Sequence, residues 1–238
     1  MGTDIHVALE KRTIDGKAWE YVSPPMQWYC YQSMGGCAAG DTVSEKPCCD
    51  KAQGHRGWGF NRNYSLFAIL ANVRNGYGFG GCDTGNGFEV IAKQRGIPND
   101  LSPEMCRLAS QHHDEHIWLA DHSFSWLTLR EIIDFDWKQV TKLRGTVTVD
   151  EYKHFRENGT PRSLYGAISG QNVVYLLNSE MDKCIEQNDF EANKIYVTQI
   201  SWNETYRERT QYFHETIIPY MLRFGTPDEL RIVFGFDS

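Results

Sequence analysis

Between Thr3 and Arg12, Ile5, Val7 and Leu9 alternate with Asp4, His6, Ala8 and Glu10, the two-residue period of a strand with one apolar face. Ile14-Asp15-Gly16-Lys17 supplies a turn and Ala18 to Val22 a returning strand, so the chain opens on a predicted β-hairpin. A helical spacing takes over from Asn63 to Val73, where Leu66, Phe67, Leu70 and Val73 share one side. Ser102-Pro103-Glu104 starts another helix, with serine as cap and proline at the first position, running to about His113. Trp126 to Phe135 predicts a short helix, Gly145 to Val149 a strand, Glu151 to Glu157 a helical turn, and Ile195 to Trp202 a strand. Arg209 to Phe224 carries Phe213, Ile217, Tyr220, Met221 and Phe224 on one helical stripe, and Leu230 to Phe236 closes the chain as a strand.

Strands at both ends with helices between predict an α+β fold. Its sheet is expected to be mixed and mainly antiparallel, to include both terminal strands and to carry packed helices, in a single domain over residues 1–238. Residues 24–60, Pro24 to Phe60, are rich in Gly, Cys and Pro without periodicity and are expected to form an insertion or loop region. Asn75 to Phe88 holds six glycines in fourteen residues and must be a loop. Its G-x-G-x-G run follows a predicted helix and not a strand, which excludes a dinucleotide fingerprint. With Tyr77 and Phe79 able to stack on a ring, a lid over a site stays open.

A net charge of −7 over 238 residues argues against broad nucleic-acid binding, which needs clustered cations to displace counterions. No apolar run approaches the roughly 20 residues of a membrane span, and no basic-then-apolar leader precedes Asp4 and His6. Seven cysteines, an odd number without an even framework, suggest reduced thiols in the cytoplasm. Cys30, Cys37, Cys48 and Cys49 could form a zinc site, but their spacing lacks the usual C-x-x-C pairs.

Histidine and carboxylate coincide in three places. Asp4 and His6 lie at i and i+2 of a strand and face the same way, so they could hold one metal ion or one polar ligand; a polar sheet edge accounts for them as well. His112 to His116 matches H-x-x-E-H, yet it follows a polar helix with no stripe to place it in a cleft, and a solvated helix end explains it better. Asp121-His122-Ser123-Phe124-Ser125-Trp126-Leu127 sets an acid, an imidazole and two hydroxyls together. Ser125 is expected to cap the helix that follows, which leaves Asp121 and His122 unexplained. Arg62, just before the first helix, suits a phosphate or carboxylate ligand beside free backbone N–H groups, or an ion pair with an acid elsewhere.

Met1-Gly2-x-Asp4-Ile5-His6, Arg62-Asn63-Tyr64-x-Leu66-Phe67-Ala68 with Arg74, Arg95-Gly96-x-Pro98, His122-Ser123-x-Ser125-Trp126-Leu127 and a late Phe-Asp resemble a family of uncharacterised bacteriophage and prophage proteins. The similarity spans most of the chain and thins between Pro24 and Gly59 and from Asp150 to Tyr206. The resemblance implies a phage origin, and hence the host bacterial cytoplasm, but no particular chemistry. It draws attention to Asp4, His6, Arg62, Tyr64, Arg74, His122, Ser123, Ser125 and Asp237, polar groups that could converge from both chain ends.

Three functional readings follow. In the first, a polar pocket binds a small phosphate-bearing, nucleotide-like ligand and sequesters or degrades a host immune signalling nucleotide. Arg62 and Arg74 would hold the anion, Tyr64 or Trp126 would stack on a ring, Asp4, His6 and His122 would read its polar edges, and Ser123, Ser125 and Asp237 would complete the ligand shell. In the second, Asp4, His6 and His122, with Asp237 as a further candidate ligand, bind a divalent metal and activate water for hydrolysis of a phosphoester or glycosidic bond. In the third, the aromatic Trp19 to Tyr31 surface binds and inhibits a host protein. A homo-oligomer is the base-rate expectation.

Overall fold

A computed structural model describes residues 2–23, 26–30, 42–44, 53–56, 58, 60–78, 83–110 and 121–237. Its elements run β1 (Asp4–Arg12), β2 (Trp19–Val22), β3 (Met26–Cys30), β4 (Thr42–Ser44), β5 (Gln53–Arg56), α1 (Tyr64–Ala71) and α2 (Pro103–Ser110). They continue with β6 (His122–Thr128), α3 (Leu129–Asp134), β7 (Val140–Thr148), α4 (Val149–Asn158), β8 (Val173–Leu176), α5 (Asn178–Gln187), β9 (Ile195–Thr205) and α6 (Tyr206–Arg209). A π-helical stretch (Phe213–Ile217), α7 (Ile218–Met221) and β10 (Leu230–Asp237) end the chain. The fold is α+β, and both terminal strands lie in one antiparallel sheet. Packing divides the chain into two compact units: Met1–Asn63, Ile91–Phe135 and Gln211–Ser238 form the first, Tyr64–Val90 and Asp136–Thr210 the second.

The first unit is built on a four-stranded antiparallel sheet in the order β2-β1-β10-β6. The predicted hairpin pairs Leu9 with Val22 and Arg12 with Trp19, and Gly16 supplies the left-handed residue of its turn with φ +70°. The last strand then pairs with the first, Asp4 opposite Asp237 and Lys11 opposite Leu230. Alternation puts Leu9, Leu230, Ile232, Phe234, Phe236 and Leu127 on one face of the sheet, all fully buried. Each such side chain contributes roughly 1.5–3 kcal/mol by leaving water.

The opposite face holds charge instead of a second apolar layer. Arg231, 1% exposed, donates to Glu10 at 2.8 Å and to Asp100 at 2.6 Å. Glu10, 0% exposed, also accepts the Ser102 backbone N–H at 2.8 Å, so the buried carboxylate is fully engaged. Guanidinium and indole groups alternate across the sheet. Arg12 stands 4.1 Å from the Trp19 ring centroid, Arg231 4.0 Å from Trp19 and 5.6 Å from Trp126, and Arg95 4.5 Å from Trp126. Desolvated contacts of this kind are worth up to about 2 kcal/mol each. Trp19 is therefore a buried structural residue, not part of an exposed aromatic docking surface.

Several elements differ from the sequence expectation. Trp126 belongs to strand β6, and the helix begins only at Leu129, where Thr128 and Glu131 form a reciprocal capping box. Pairing of β6 with β10 outweighs the helical spacing there, and Ser125 accepts the Arg95 backbone N–H at 3.1 Å in place of capping a helix. The expected loop region 24–60 carries the antiparallel sheet β4-β3-β5. The late helix passes through a π-helical turn in which Ile218 N bonds Phe213 O. Pro219 lacks an N–H for the next α-helical bond, and widening of the turn before it accommodates the loss.

In the second unit β7 pairs antiparallel with β9, and β8 pairs parallel with β9 after the crossover helix α5. Leu143, Val147, Tyr152, Met181, Ile200 and Trp202 form its core. Asn75 closes the glycine-rich loop, accepting the Phe88 N–H at 2.6 Å and donating to the Phe88 carbonyl at 2.9 Å. The sequence shows no clear signal for β8 and α5.

Candidate functional site

The end of the β1–β10 ladder gathers Asp4, His6, Arg62 and Asp237 in the first unit. Because Asp4 lies opposite Asp237 and His6 opposite Gly235, strand alternation puts Asp4, His6 and Asp237 on one face. Asp237 receives the Asp4 backbone N–H on Oδ1 at 3.1 Å and meets His6 Nε2 through Oδ2 at 3.0 Å. Arg62 grips the Asp4 carboxylate in a two-pronged contact, with Nε to Oδ1 at 2.8 Å and Nη2 to Oδ2. The arginine therefore has the acid partner that the sequence left open.

Two features fix this arrangement. The Arg62 hydrogen bonds hold the Asp4 carboxyl below its ordinary range against the opposing effect of burial, and His6 adds to the lowering. Gly2 makes the close approach possible, since a Cβ there would sit 2.7 Å from Arg62 Nη1. That steric need accounts for the glycine in the Met-Gly-x-Asp-Ile-His opening. All four side chains are paired and stay between 41% and 50% exposed, so the cluster is open to solvent.

His122 does not join it. It lies opposite Phe236 and stacks on that ring at 6.2 Å between centroids, on the face turned away from Asp237. A bulge between Phe234 and Phe236 shifts the β6 register, and Ser123 takes φ +56° with its Oγ 2.9 Å from His122 Nδ1. Alternation thus separates the three residues that the sequence grouped as metal ligands. Among the described residues no three His, Cys, Asp or Glu side chains are grouped to hold a metal ion.

The remaining expected ligand residues serve local structure. Ser125 is buried and bonded to the Arg95 backbone. Trp126 shares the sheet face of Val233, and its ring is occupied by Arg95 and Arg231, not left for a ligand. Tyr64 and Arg74 belong to the second unit, where the Arg74 guanidinium stands 5.7 Å from the ring centroids of both Tyr64 and Tyr77. His112, His113, His116, Phe79, Cys37, Cys48 and Cys49, with the Cys30 side chain, lie outside the described residues.

The Arg–Trp ladder and its acids Glu10, Asp100 and Glu131 do not follow from local periodicity. A signal was present. Arg231 interrupts the apolar run Leu230-Arg231-Ile232-Val233-Phe234, and Glu10 follows buried Leu9 in the facing strand. Such charges in two paired strands call for each other.

Comparison with protein-family models, with curated proteins and with solved structures found no match. Among the described residues no helix is long and apolar enough to cross a membrane.

Proposed function

We propose that the Asp4–His6–Arg62–Asp237 cluster binds a small, phosphate-bearing, nucleotide-like ligand. The observation that supports this is the locking of two exposed ion pairs to each other through the Asp4 N–H bond to Asp237. Exposed pairs contribute only about 0–1 kcal/mol to folding, so stability alone gives little reason to orient four half-exposed polar side chains at one point. Recognition does. Asp4 takes the Nε–Nη2 fork of Arg62 and so fixes the guanidinium plane, whose outer edge would meet a phosphate oxygen, while Asp4 and Asp237 accept from ligand hydroxyl or amino groups. His6 contributes a nitrogen that is donor or acceptor according to its proton.

The biological setting comes from the sequence motifs and not from the geometry. The resemblance of those motifs to phage and prophage proteins supports a setting in the host bacterial cytoplasm, where capture of a host immune signalling nucleotide is the role that fits such a site. Mass spectrometry of a nucleotide mixture incubated with the protein tests the reading. Wild-type protein is expected to retain a nucleotide, and Arg62→Ala and His6→Ala to retain at least about tenfold less, the worth of one charge-assisted hydrogen bond. Absence of retention by the wild type, or retention unchanged in both variants, overturns it.

A further inference from the structure

We infer that this site also cleaves its ligand, by acid–base transesterification of a ribonucleotide phosphodiester whose own 2′-hydroxyl is the nucleophile. The inference rests on the nucleotide-binding reading above. His6 is the group that would touch the reacting atoms. Its Nε2 meets Asp237 Oδ2 at 3.0 Å, and a carboxylate partner assigns the proton to that nitrogen. The other nitrogen, Nδ1, then carries the basic lone pair. Asp237 cannot turn freely, because its second oxygen holds the Asp4 N–H at 3.1 Å. This chain of carboxylate, imidazole and reacting hydroxyl is the general arrangement for activating a weak nucleophile.

Arg62 supplies the second requirement. Charge accumulates on the non-bridging oxygens as a fifth oxygen approaches phosphorus, and an oriented guanidinium stabilises it without reorganising. Asp4 fixes that orientation through its two contacts.

The nucleophile is assigned to the substrate for two reasons. Ser123, the hydroxyl that the sequence places beside a histidine, bonds His122 on the opposite face. A neighbouring hydroxyl on the same sugar also has an effective concentration of about 10⁵–10⁸ M, far above that of any solvent nucleophile. The step balances without a further reactant. His6 Nδ1 takes the 2′-hydroxyl proton, the O2′–P bond forms, the P–O5′ bond breaks, and the proton passes from the imidazolium through solvent to the leaving 5′ oxygen. The products are a 2′,3′-cyclic phosphate and a 5′-hydroxyl.

The test uses the full chain with a panel of all sixteen ribodinucleoside monophosphates and 3′,3′-linked cyclic dinucleotides, each beside its 2′-deoxy counterpart, with EDTA present. Wild-type protein is expected to release a 2′,3′-cyclic phosphate from at least one ribo probe and nothing from the deoxy probes. His6→Ala is expected to lose about 10²–10⁴-fold in rate, the usual worth of a general base. Asp237→Asn is expected to lower kcat by a larger factor than it raises KM, because the amide favours the wrong ring tautomer while preserving the contact. Retention of a probe without cyclic phosphate overturns cleavage and leaves the binding reading standing. Neither retention nor cleavage overturns both. Cleavage of deoxy probes, or a rate equal in His6→Ala, overturns the assigned chemistry.

Discussion

His6 Nε2 lies 3.0 Å from Asp237 Oδ2, joining the first strand of the chain to the last. The contact exists because β1 and β10 are antiparallel neighbours in a register that sets Asp4 opposite Asp237. Near the same strand ends, Arg62 fastens onto Asp4. Separate buried packing supports them, so changes at the cluster and changes in the packing beneath it have different signatures.

Gly2→Ala separates ligand contact from folding. The new methyl group would collide with Arg62 Nη1 at 2.7 Å and Cζ at 3.0 Å, and the flexible arginine moves away at little cost. Thermal unfolding is expected to be unchanged within the effect of one exposed ion pair, under about 1 kcal/mol. Nucleotide retention is expected to fall as it does in Arg62→Ala. Undiminished retention in Gly2→Ala would show that the Arg62 position is not part of recognition.

The ion pair between Arg231 and Glu10 behaves in the opposite way. Arg231→Met leaves Glu10, 0% exposed, as a buried charge without its guanidinium, and urea denaturation is expected to show a loss of about 3–5 kcal/mol. The double variant Arg231→Met with Glu10→Leu removes the stranded charge and is expected to recover at least half of that loss. A double variant as unstable as the single one would mean that the Trp19 and Trp126 stacking, not the carboxylate, requires Arg231.

Acid sensitivity should trace to Glu131. Hydrogen bonds from Arg95, joined by those from Thr128 and opposed by burial, pull its carboxyl from 4.5 down to about 2. A depressed native value means that the stability from this group is present above pH 4.5 and is lost as pH falls from there towards 2. The pair is about one-third exposed, and solvent screening reduces its contribution to about 1–2 kcal/mol. Glu131→Gln is expected to flatten the stability curve across that interval while leaving its slope above pH 6 unchanged, as read by chemical denaturation at stepped pH. An equally steep acid limb in the variant would transfer the effect to other carboxylates such as Asp100.

Among the described glycines of the second unit, Gly85 carries the tightest constraint. Its φ is +125°, and a Cβ there would meet Thr141 Oγ1 and the Phe88 ring within van der Waals distance, the latter at 2.9 Å. Gly85→Ala combines a backbone penalty of about 1–3 kcal/mol with that collision. Circular dichroism melting is expected to show a drop of several degrees at least, whereas Gly16→Ala, with φ +70° and open space around its Cβ position, is expected to cost less.

Local pattern made much of the architecture legible. The opening hairpin, α1, the capped start of α2, β9 and β10 follow from spacing and turn residues, since these elements satisfy their own periodicity. The apolar neighbours of Trp126 fit a helix and a strand equally, and only pairing with β10 decides between them. The capping box Thr128-x-x-Glu131 was the overlooked signal for the true helix start. The π-helical turn before Pro219 likewise reflects a local exception inside an otherwise regular stripe.

At the site, the residues of the first strand were readable and their partners were not. Alternation by itself put Asp4 and His6 on one face and made them candidates. It could not say that Asp237 would close on His6, that Arg62 would take Asp4, or that His122 would turn to the other side of the sheet. Those outcomes depend on strand register, on a bulge in β6 and on a close approach at Gly2, all of which join positions far apart in the chain. A sequence carries the chemistry and the period of each strand; which faces meet is decided only when long-range pairing and burial select one register, because shifting it by a single residue exchanges the two faces.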